Sequence, residues 1–243
     1  MSIPRVSVIV AALNEEASIE ACVRRILAVF PGDSEILVIA GGTDRTADIV
    51  DSMSASAPQV RCIRNPHDRG KGHAIRVGVQ HARAPVHAQI DADLQFLPED
   101  LPRLVEPLVL GVADVALGTR FAAGSRRLPG GTPWVRTLGN AAVSGFASVL
   151  FGRRLTDVMA GMKAWTAAAM RTIAFESDNY SYEVEIPVRA LANSLRVVEV
   201  PITTGPRKSG STNVRVFRAG VVLFRDLVRF RAERFRPGRP ARP

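Results

Sequence analysis

The first 120 residues alternate between two periods. Short runs of β-branched and aliphatic residues at 6–11, 36–40, 60–64, 86–90 and 114–118 have the pattern of buried strands. The stretches between them carry apolar residues at helical spacing. In the first, Ala17, Ile19, Val23, Ile26 and Leu27 fall on one helical face, with Asn14 placed as the N-cap. Windows 43–53, 72–82 and 98–110 repeat the pattern, the last with Pro98 at its start, where helices accept proline. Strands alternating with helices predict βαβ units and a mostly parallel sheet flanked by helices. Residues 122–135 (AAGSRRLPGGTPWV) have no period and read as a loop. A helix is predicted over 136–151, a strand over 162–165, a helix over about 183–191 and a strand over 197–202. A flexible stretch, 203–213, precedes a final helix from 214 to about 235. This divides the chain into one α/β domain (1–213), a basic amphipathic helix (214–236) and a flexible tail (237–243).

Length and composition narrow the class. The 243 residues, 47% of them apolar, suffice for one large core without staples. Cys22 and Cys62 cannot build a disulfide framework and have no partner at metal-ligand spacing, which points to a reducing cytoplasm. The apolar start of the chain lacks a basic n-region and meets Asn14-Glu15-Glu16, so it is read as a strand rather than a signal peptide. No window supplies the ~18 uncharged apolar residues of a membrane span; residues 141–151 come nearest and are too short. The formal net charge of +9 sits at one end: residues 206–243 hold eleven Lys+Arg against two Asp+Glu, and the remainder is balanced.

The sharpest local feature is Asp91-Ala92-Asp93 with Gln95, directly after the run 86–90. Ligands of open parallel sheets bind beyond the carboxyl ends of strands, where these residues fall. Side chains two apart in extended chain project to one side, so both carboxylates can face one hard cation; the alternative is that Asp93 caps the following turn. At the same edge lie Asn14-Glu15, the glycines of Gly41-Gly42-Thr43-Asp44, whose backbone can approach a ligand ahead of a helix N-terminus suited to an anion, and Gly70-Lys71-Gly72. Scans for a P-loop, a nucleophile elbow and an HExxH zinc site are negative, and the four histidines form no ligand pattern, with His73 and His81 read as helix-surface residues.

Taken in order, VIVAALNEE, GGTDRT, GKGHAIRVG, DADLQ with Pro98-Glu99, Gly118-Thr119-Arg120 and RKSGSTN resemble the GT-A glycosyltransferases of the family-2 type, most closely the dolichol-phosphate or polyprenyl-phosphate mannose synthase group, over roughly residues 5–215. The resemblance implies a single GT-A-like domain that moves a hexose, mannose or glucose, with inversion from a nucleotide diphosphate sugar (GDP- or UDP-linked) to a polyprenyl phosphate, using Mg²⁺ or Mn²⁺. It places Asp91, Asp93 and Gln95 at the metal and the donor diphosphate, and Ala11, Leu13, Glu15, Gly41, Lys71 and Ala92 around the nucleotide. Arg207 matches the basic residue of a late loop that closes on the donor. Arg120, Arg136 and Asn140 fall on the acceptor phosphate side, with Asp157 a family aspartate nearby, and Asp93, Arg120 and Asp157 make the catalytic set.

The chain departs from that pattern in three places. Ile39-Ala40-Gly41-Gly42 stands where Asp-Asp-Gly-Ser is usual, removing the carboxylate that commonly meets the base. Asn140 replaces a serine and Asn213 a lysine, and an amide cannot neutralise a phosphate. If the acceptor is a phosphate, no general base is needed; if it is the hydroxyl of a soluble natural product or glycan, Asp157, Glu183 and Glu185 are the candidate bases, with helix-start acids also explained by the dipole. A non-catalytic sugar-nucleotide-binding or membrane-binding protein is a further reading of the missing strand-two aspartates. Arg126, Arg127 and Lys208 read as solvated.

In the last helix, Val214, Phe217, Val221, Phe224, Leu227 or Val228, and Phe235 can share one stripe, with Arg215, Arg218, Arg225, Arg229 and Arg236 elsewhere. Such a helix lies on an anionic bilayer, or docks on the domain or on a second copy in a homodimer. The lipid acceptor favours the membrane, giving a protein peripheral on the inner, cytoplasmic face. Nucleic acid is not an expected partner, since the RNA-module aromatic signatures are missing.

Overall fold

The computed structural model describes residues 5–32, 34–130, 134–206 and 216–233. Strands β1 (Val6–Leu13), β2 (Ser34–Gly41), β3 (Val60–Arg64), β4 (Val86–Asp91) and β5 (Val115–Thr119) coincide with the predicted runs. They alternate with α1 (Ile19–Val29), α2 (Thr46–Ser56), α3 (Lys71–His81), and a 3-10 turn at Pro98–Asp100 running into α4 (Leu101–Val109). Beyond them come a short strand β6 (Arg126–Arg127), α5 (Trp134–Phe151), β7 (Lys163–Thr166), α6 (Ala167–Ile173), α7 (Tyr182–Ala192), β8 (Val197–Pro201), β9 (Thr203–Thr204) and α8 (Val216–Glu233). The main sheet has seven strands in the order β3-β2-β1-β4-β7-β5-β8. All its pairings are parallel except those of β7, which runs antiparallel between β4 and β5.

Side chains alternate across the sheet, so two cores form. On one face Val6, Val8, Val10 and Ala12 of β1 meet Ile19, Val23 and Ile26 of α1, Val50 of α2 and Leu104 of α4. On the other, Ile9 meets Ile75 of α3, and the layer extends through Ala147 of α5, Met170 of α6 and Val188 of α7 to Leu223, Leu227 and Phe230 of α8. The last helix is therefore a wall of the second core. Its buried stripe keeps Leu227 and the partly buried Phe224 of the expected positions and adds Leu223 and Phe230, while Val221 and Val228 are exposed. The expected positions 214, 217 and 235 lie outside the residues whose side chains are described.

Helix α1 begins later than expected. Ser18 precedes its first turn, whereas Asn14 adopts φ 55° and turns its Oδ1 to the amides of Thr43 and Asp44 at 2.9 and 3.3 Å. The asparagine does accept backbone amides, as a capping residue would, but those of the β2–α2 turn. Those amides were expected to be open to an anion. Gly42, at φ 93°, is forced by the same contact, because a Cβ there would lie 2.1 Å from Asn14 Oδ1.

At the opposite, amino edge of the sheet, Glu35 is buried and receives Ser7 Oγ at 2.5 Å, Arg83 N at 2.6 Å and Arg83 Nε at 2.9 Å. Burial raises its carboxyl pKa, but the bonds from Ser7 and Arg83 outweigh it and hold the group below the usual glutamate range. Glu35→Gln should cost about 2 kcal/mol in denaturant unfolding at pH 7, on the low side for a buried pair because Arg83 is half exposed. A depressed folded pKa gives stability that is complete above the unfolded value of about 4.3 and fades as pH falls through the folded one. The difference between the two proteins should accordingly shrink in acid, and a difference undiminished at pH 3 would contradict the assignment.

Candidate active site

The carboxyl edge of the sheet gathers the predicted residues through strand register. Ala11 pairs with Asp91, and Leu13 with Gly41. Beyond β4 the chain turns sharply: Leu94 takes φ 60°, and Asp93 Oδ1 accepts the Gln95 amide at 2.9 Å. Asp93 is buried, as are Ala92 and Leu94, so it does cap this turn while standing two residues from Asp91. Glu15 joins the same neighbourhood. Its amide donates to Thr46 Oγ1 at 2.8 Å and its carboxylate accepts Ser18 Oγ at 2.9 Å. Burial and the nearby Asp93, Asp91 and Glu15 drive the Cys22 thiol far above its ordinary pKa, which keeps it neutral and inert.

Asp91 faces a lysine. Lys71, on the first turn of α3, places Nζ 2.7 Å from Asp91 Oδ1 and 2.9 Å from Glu183 Oε1. Glu183, on the first turn of α7, also binds Lys163 and accepts Tyr182 OH at 2.7 Å. Lys163 is fully buried, and its ammonium also donates to the Ala160 carbonyl. Gln89 Nε2 closes the cluster, bonding the Tyr182 hydroxyl and the Gly161 carbonyl, each at 3.1 Å. Gly161 is required here: a Cβ would lie 2.5 Å from Asp91 Oδ2 and 2.8 Å from Lys71 Nζ. Burial raises the Asp91 carboxyl above the usual aspartate range, with Lys71 pulling the other way and Asp93 and Glu183 adding to the rise. Burial also works against Glu183, but Lys163 and then Lys71 outweigh it, and the carboxyl sits below its ordinary value. For Lys71, burial is overcome by Asp91 and Glu183, and its pKa is raised.

Across the sheet, Arg120 follows β5 and forks onto Asp157, with Nε to Oδ2 at 2.6 Å and Nη2 to Oδ1 at 2.8 Å; the Arg120 amide adds 3.1 Å. Asp157 is wholly buried, and the guanidinium lies over the rings of Phe96 and Phe121. The other two base candidates are also engaged. Glu185 accepts the amides of Glu176 and Ser177 and pairs with Arg189 at 2.8 Å, so it fastens the loop before α7. Asn140 stands in the early turns of α5, Arg136 contributes only its backbone to the description, and Arg207, Lys208 and Asn213 lie outside the described residues.

Sequence reasoning missed Lys163, Tyr182, Gln89 and Gly161. It also missed Asp68, whose side chain fills the space beside Gly41: a Cβ on that glycine would lie 3.5 Å from Asp68 Oδ2. His73, expected on the helix surface, is mostly buried and faces Asn65 and Asp68.

The donor chemistry of the edge suits a hard cation, because Asp91, Asp93 and Gln95 offer only oxygen for ligation. Among the described residues no three His, Cys, Asp or Glu side chains converge on one point. Among the described residues, Asp91 and Asp93 are the two carboxylates of the Asp-x-Asp pair at this edge.

Comparison with known proteins places this geometry. Residues 7–159 match the family model described as glycosyl transferase family 2. The undecaprenyl-phosphate mannosyltransferase of Micrococcus luteus is 31% identical over 220 residues, covering 86% of this chain and 87% of the relative. The low-salt glycan biosynthesis hexosyltransferase Agl6 of Haloferax volcanii is 30% identical over 221 residues, 89% of this chain, which spans only 51% of that relative's length. Among solved structures, glucosyl-3-phosphoglycerate synthase of Mycobacterium tuberculosis, in complex with Mn²⁺, UDP and phosphoglyceric acid, superposes with a TM-score of 0.69 at 21% identity, over 95% of this chain and 78% of that one. That likeness speaks for the fold, which is GT-A-like, as the sequence resemblance implied. The chain belongs to glycosyl transferase family 2 and is a glycosyltransferase.

Proposed function

We propose that the protein transfers a hexose, mannose or glucose, from a nucleotide diphosphate sugar to a polyprenyl phosphate. The observation that carries the acceptor choice is the engagement of every carboxylate expected to act as a base. Asp157 is forked by Arg120, Glu183 is bound by two lysines and Glu185 by two amides and an arginine. A hydroxyl acceptor needs such a base, whereas a phosphate monoester is already ionised near neutral pH. The names of the relatives, an undecaprenyl-phosphate mannosyltransferase among them, support the same reading.

In this reading Asp91, Asp93 and Gln95 hold Mg²⁺ or Mn²⁺ with the donor diphosphate. The cation, when bound, neutralises charge on the departing diphosphate. Lys71 adds a fixed positive charge beside Asp91, and Glu15, Ala11, Leu13, Gly41 and Ala92 line the nucleotide side, with Arg207 closing from its loop. Arg120 commits Nε and Nη2 to Asp157, which leaves Nη1 to donate to the acceptor phosphate that Arg136 and Asn140 help to bind. A phosphate oxygen attacks the anomeric carbon as the bond to the diphosphate oxygen breaks, so the sugar inverts, and orientation and charge neutralisation supply the rate. The neighbour solved with Mn²⁺ and UDP is consistent with this donor chemistry; the Ile39-Ala40-Gly41 edge carries no carboxylate to select a base, so GDP and UDP sugars are both donors to try. Incubation with Mn²⁺, radiolabelled GDP-mannose or UDP-glucose and undecaprenyl phosphate should give label extractable into chloroform; exclusively water-soluble product would refute the lipid acceptor.

A lipid acceptor calls for a membrane contact, and two adjoining helices offer one. No helix among the described residues is long and apolar enough to cross a membrane. Among the described residues, the outward face of α5 carries Leu138, Ala141, Ala142, Gly145 and Val149, none of them charged, with Val149 82% exposed. Phe146 of α5 packs on Phe224 of α8, whose outward face mixes Val221 and Val228 with Arg225 and Arg229. Apolar positions beside arginines suit the interface of an anionic bilayer. The protein should sediment with phosphatidylglycerol vesicles and be released by 0.5 M salt, and Val149→Glu with Val228→Glu should abolish sedimentation without loss of folding. Equal binding to neutral vesicles, or a salt-stable dimer in their absence, would point to another occupant of this face.

A further inference from the structure

Behind the candidate donor site lies a buried quartet of charges: Asp91, Lys71, Glu183 and Lys163, in contact in that order. Only its first two members lie where a donor can reach them. Glu183 and Lys163 have almost no exposed surface. We propose that Glu183 is a positioning residue, held from behind by Lys163 and Tyr182, that shares the Lys71 ammonium with Asp91 and so fixes it at the edge where the lysine meets the donor diphosphate. The inference rests on the donor site proposed above.

Three features carry it. First, a lysine stem is flexible, and one carboxylate would leave its head free to swing. With Asp91 and Glu183 both within 2.9 Å, Nζ is held from two sides. Second, Glu183 itself cannot move. Its Oε2 meets Lys163, its Oε1 takes the Tyr182 hydroxyl, and that hydroxyl is in turn bonded by Gln89, which is anchored on the Gly161 carbonyl. Third, the quartet is neutral as a set, two lysines against two carboxylates, so it can be buried without leaving a net charge for the arriving cation to oppose. A glutamate serving only as counterion to Lys163 would need neither the Tyr182 bond nor contact with Lys71.

The two roles separate in a double substitution, measured on the full-length protein as melting temperature and as the affinity for Mn²⁺ with UDP or GDP by calorimetry. Glu183→Gln leaves Lys163 buried and unpaired and frees Lys71 to pair with Asp91 alone. Its melting temperature should fall and nucleotide affinity should drop ten- to a hundredfold, the effect about expected for groups that orient ligating residues. Lys163→Met combined with Glu183→Gln removes both buried charges and should recover the melting temperature, yet nucleotide affinity should stay low. If the double variant recovers both, Glu183 is only a counterion and the inference is overturned. Should these variants not fold, Tyr182→Phe removes only the hydroxyl on Glu183 and should weaken binding about fivefold, a net hydrogen bond; unchanged affinity there overturns the inference. Failure of the unaltered protein to bind either nucleotide with Mn²⁺ would instead overturn the donor site itself, and this inference with it.

Discussion

Asn in place of Asp93 should abolish sugar transfer, by about a thousandfold or more, with little change in melting temperature. Asp93 has two jobs in the geometry. Its Oδ1 receives the Gln95 amide and fixes the turn in which Leu94 is left-handed, and its charge acts on Asp91 two residues before it. Asparagine keeps an acceptor oxygen for the first job and removes only the charge needed for the second. A loss of that size is what removal of charge stabilisation from a departing diphosphate costs. Asp93→Ala should lose activity and stability together. Wild-type turnover in Asp93→Asn would reduce the residue to a turn cap and remove the metal role.

Arg120→Met should be the most damaging change on the acceptor side. It strips a wholly buried carboxylate of the fork that neutralises it, which costs about 3–5 kcal/mol in unfolding free energy, and it removes the cation expected to meet the acceptor phosphate. Arg120→Lys keeps the charge but not the two-pronged geometry or the flat contact with Phe96 and Phe121. It should fold, with an acceptor KM raised more than the donor KM. Equal changes in both constants, or none, would show that Arg120 serves the fold alone. Denaturant titration and initial rates at varied acceptor separate these outcomes.

The parallel half of the sheet was legible because its determinants are local: five aliphatic runs, the helical spacing between them and a pair of aspartates at a strand end. Lys163, Tyr182 and Gln89 gave no such signal. They are separated by as much as ninety-odd positions in sequence and meet because β7 enters antiparallel between β4 and β5, setting Lys163 opposite Gln89 and Leu117. No hydrophobic period encodes that register. Helix α6 was missed because its seven residues, AAAMRTI, are too few to show a face; Thr166 caps it, its Oγ1 accepting the Ala169 amide at 3.0 Å. Asn14 was recognised as an acceptor of backbone amides but given to the wrong loop, since the contact spans 29 residues. In α8, apolar residues surround the helix, so the sequence contained two candidate stripes, and only the packing of Leu223, Leu227 and Phe230 against the second core chooses between them.

That choice gives the chain's basic end an unexpected mechanical standing. Asp226, on the inner side of α8, accepts the hydroxyl of Ser181 at 2.7 Å, and Ser181 is the residue that opens the turn carrying Tyr182 and Glu183. Lifting α8 off the body would unclasp the root of the helix that orders Lys71. Cutting the chain before residue 216 is therefore no clean way to subtract its positive charge, for the same cut would remove Asp226 and release Ser181, two residues before Glu183.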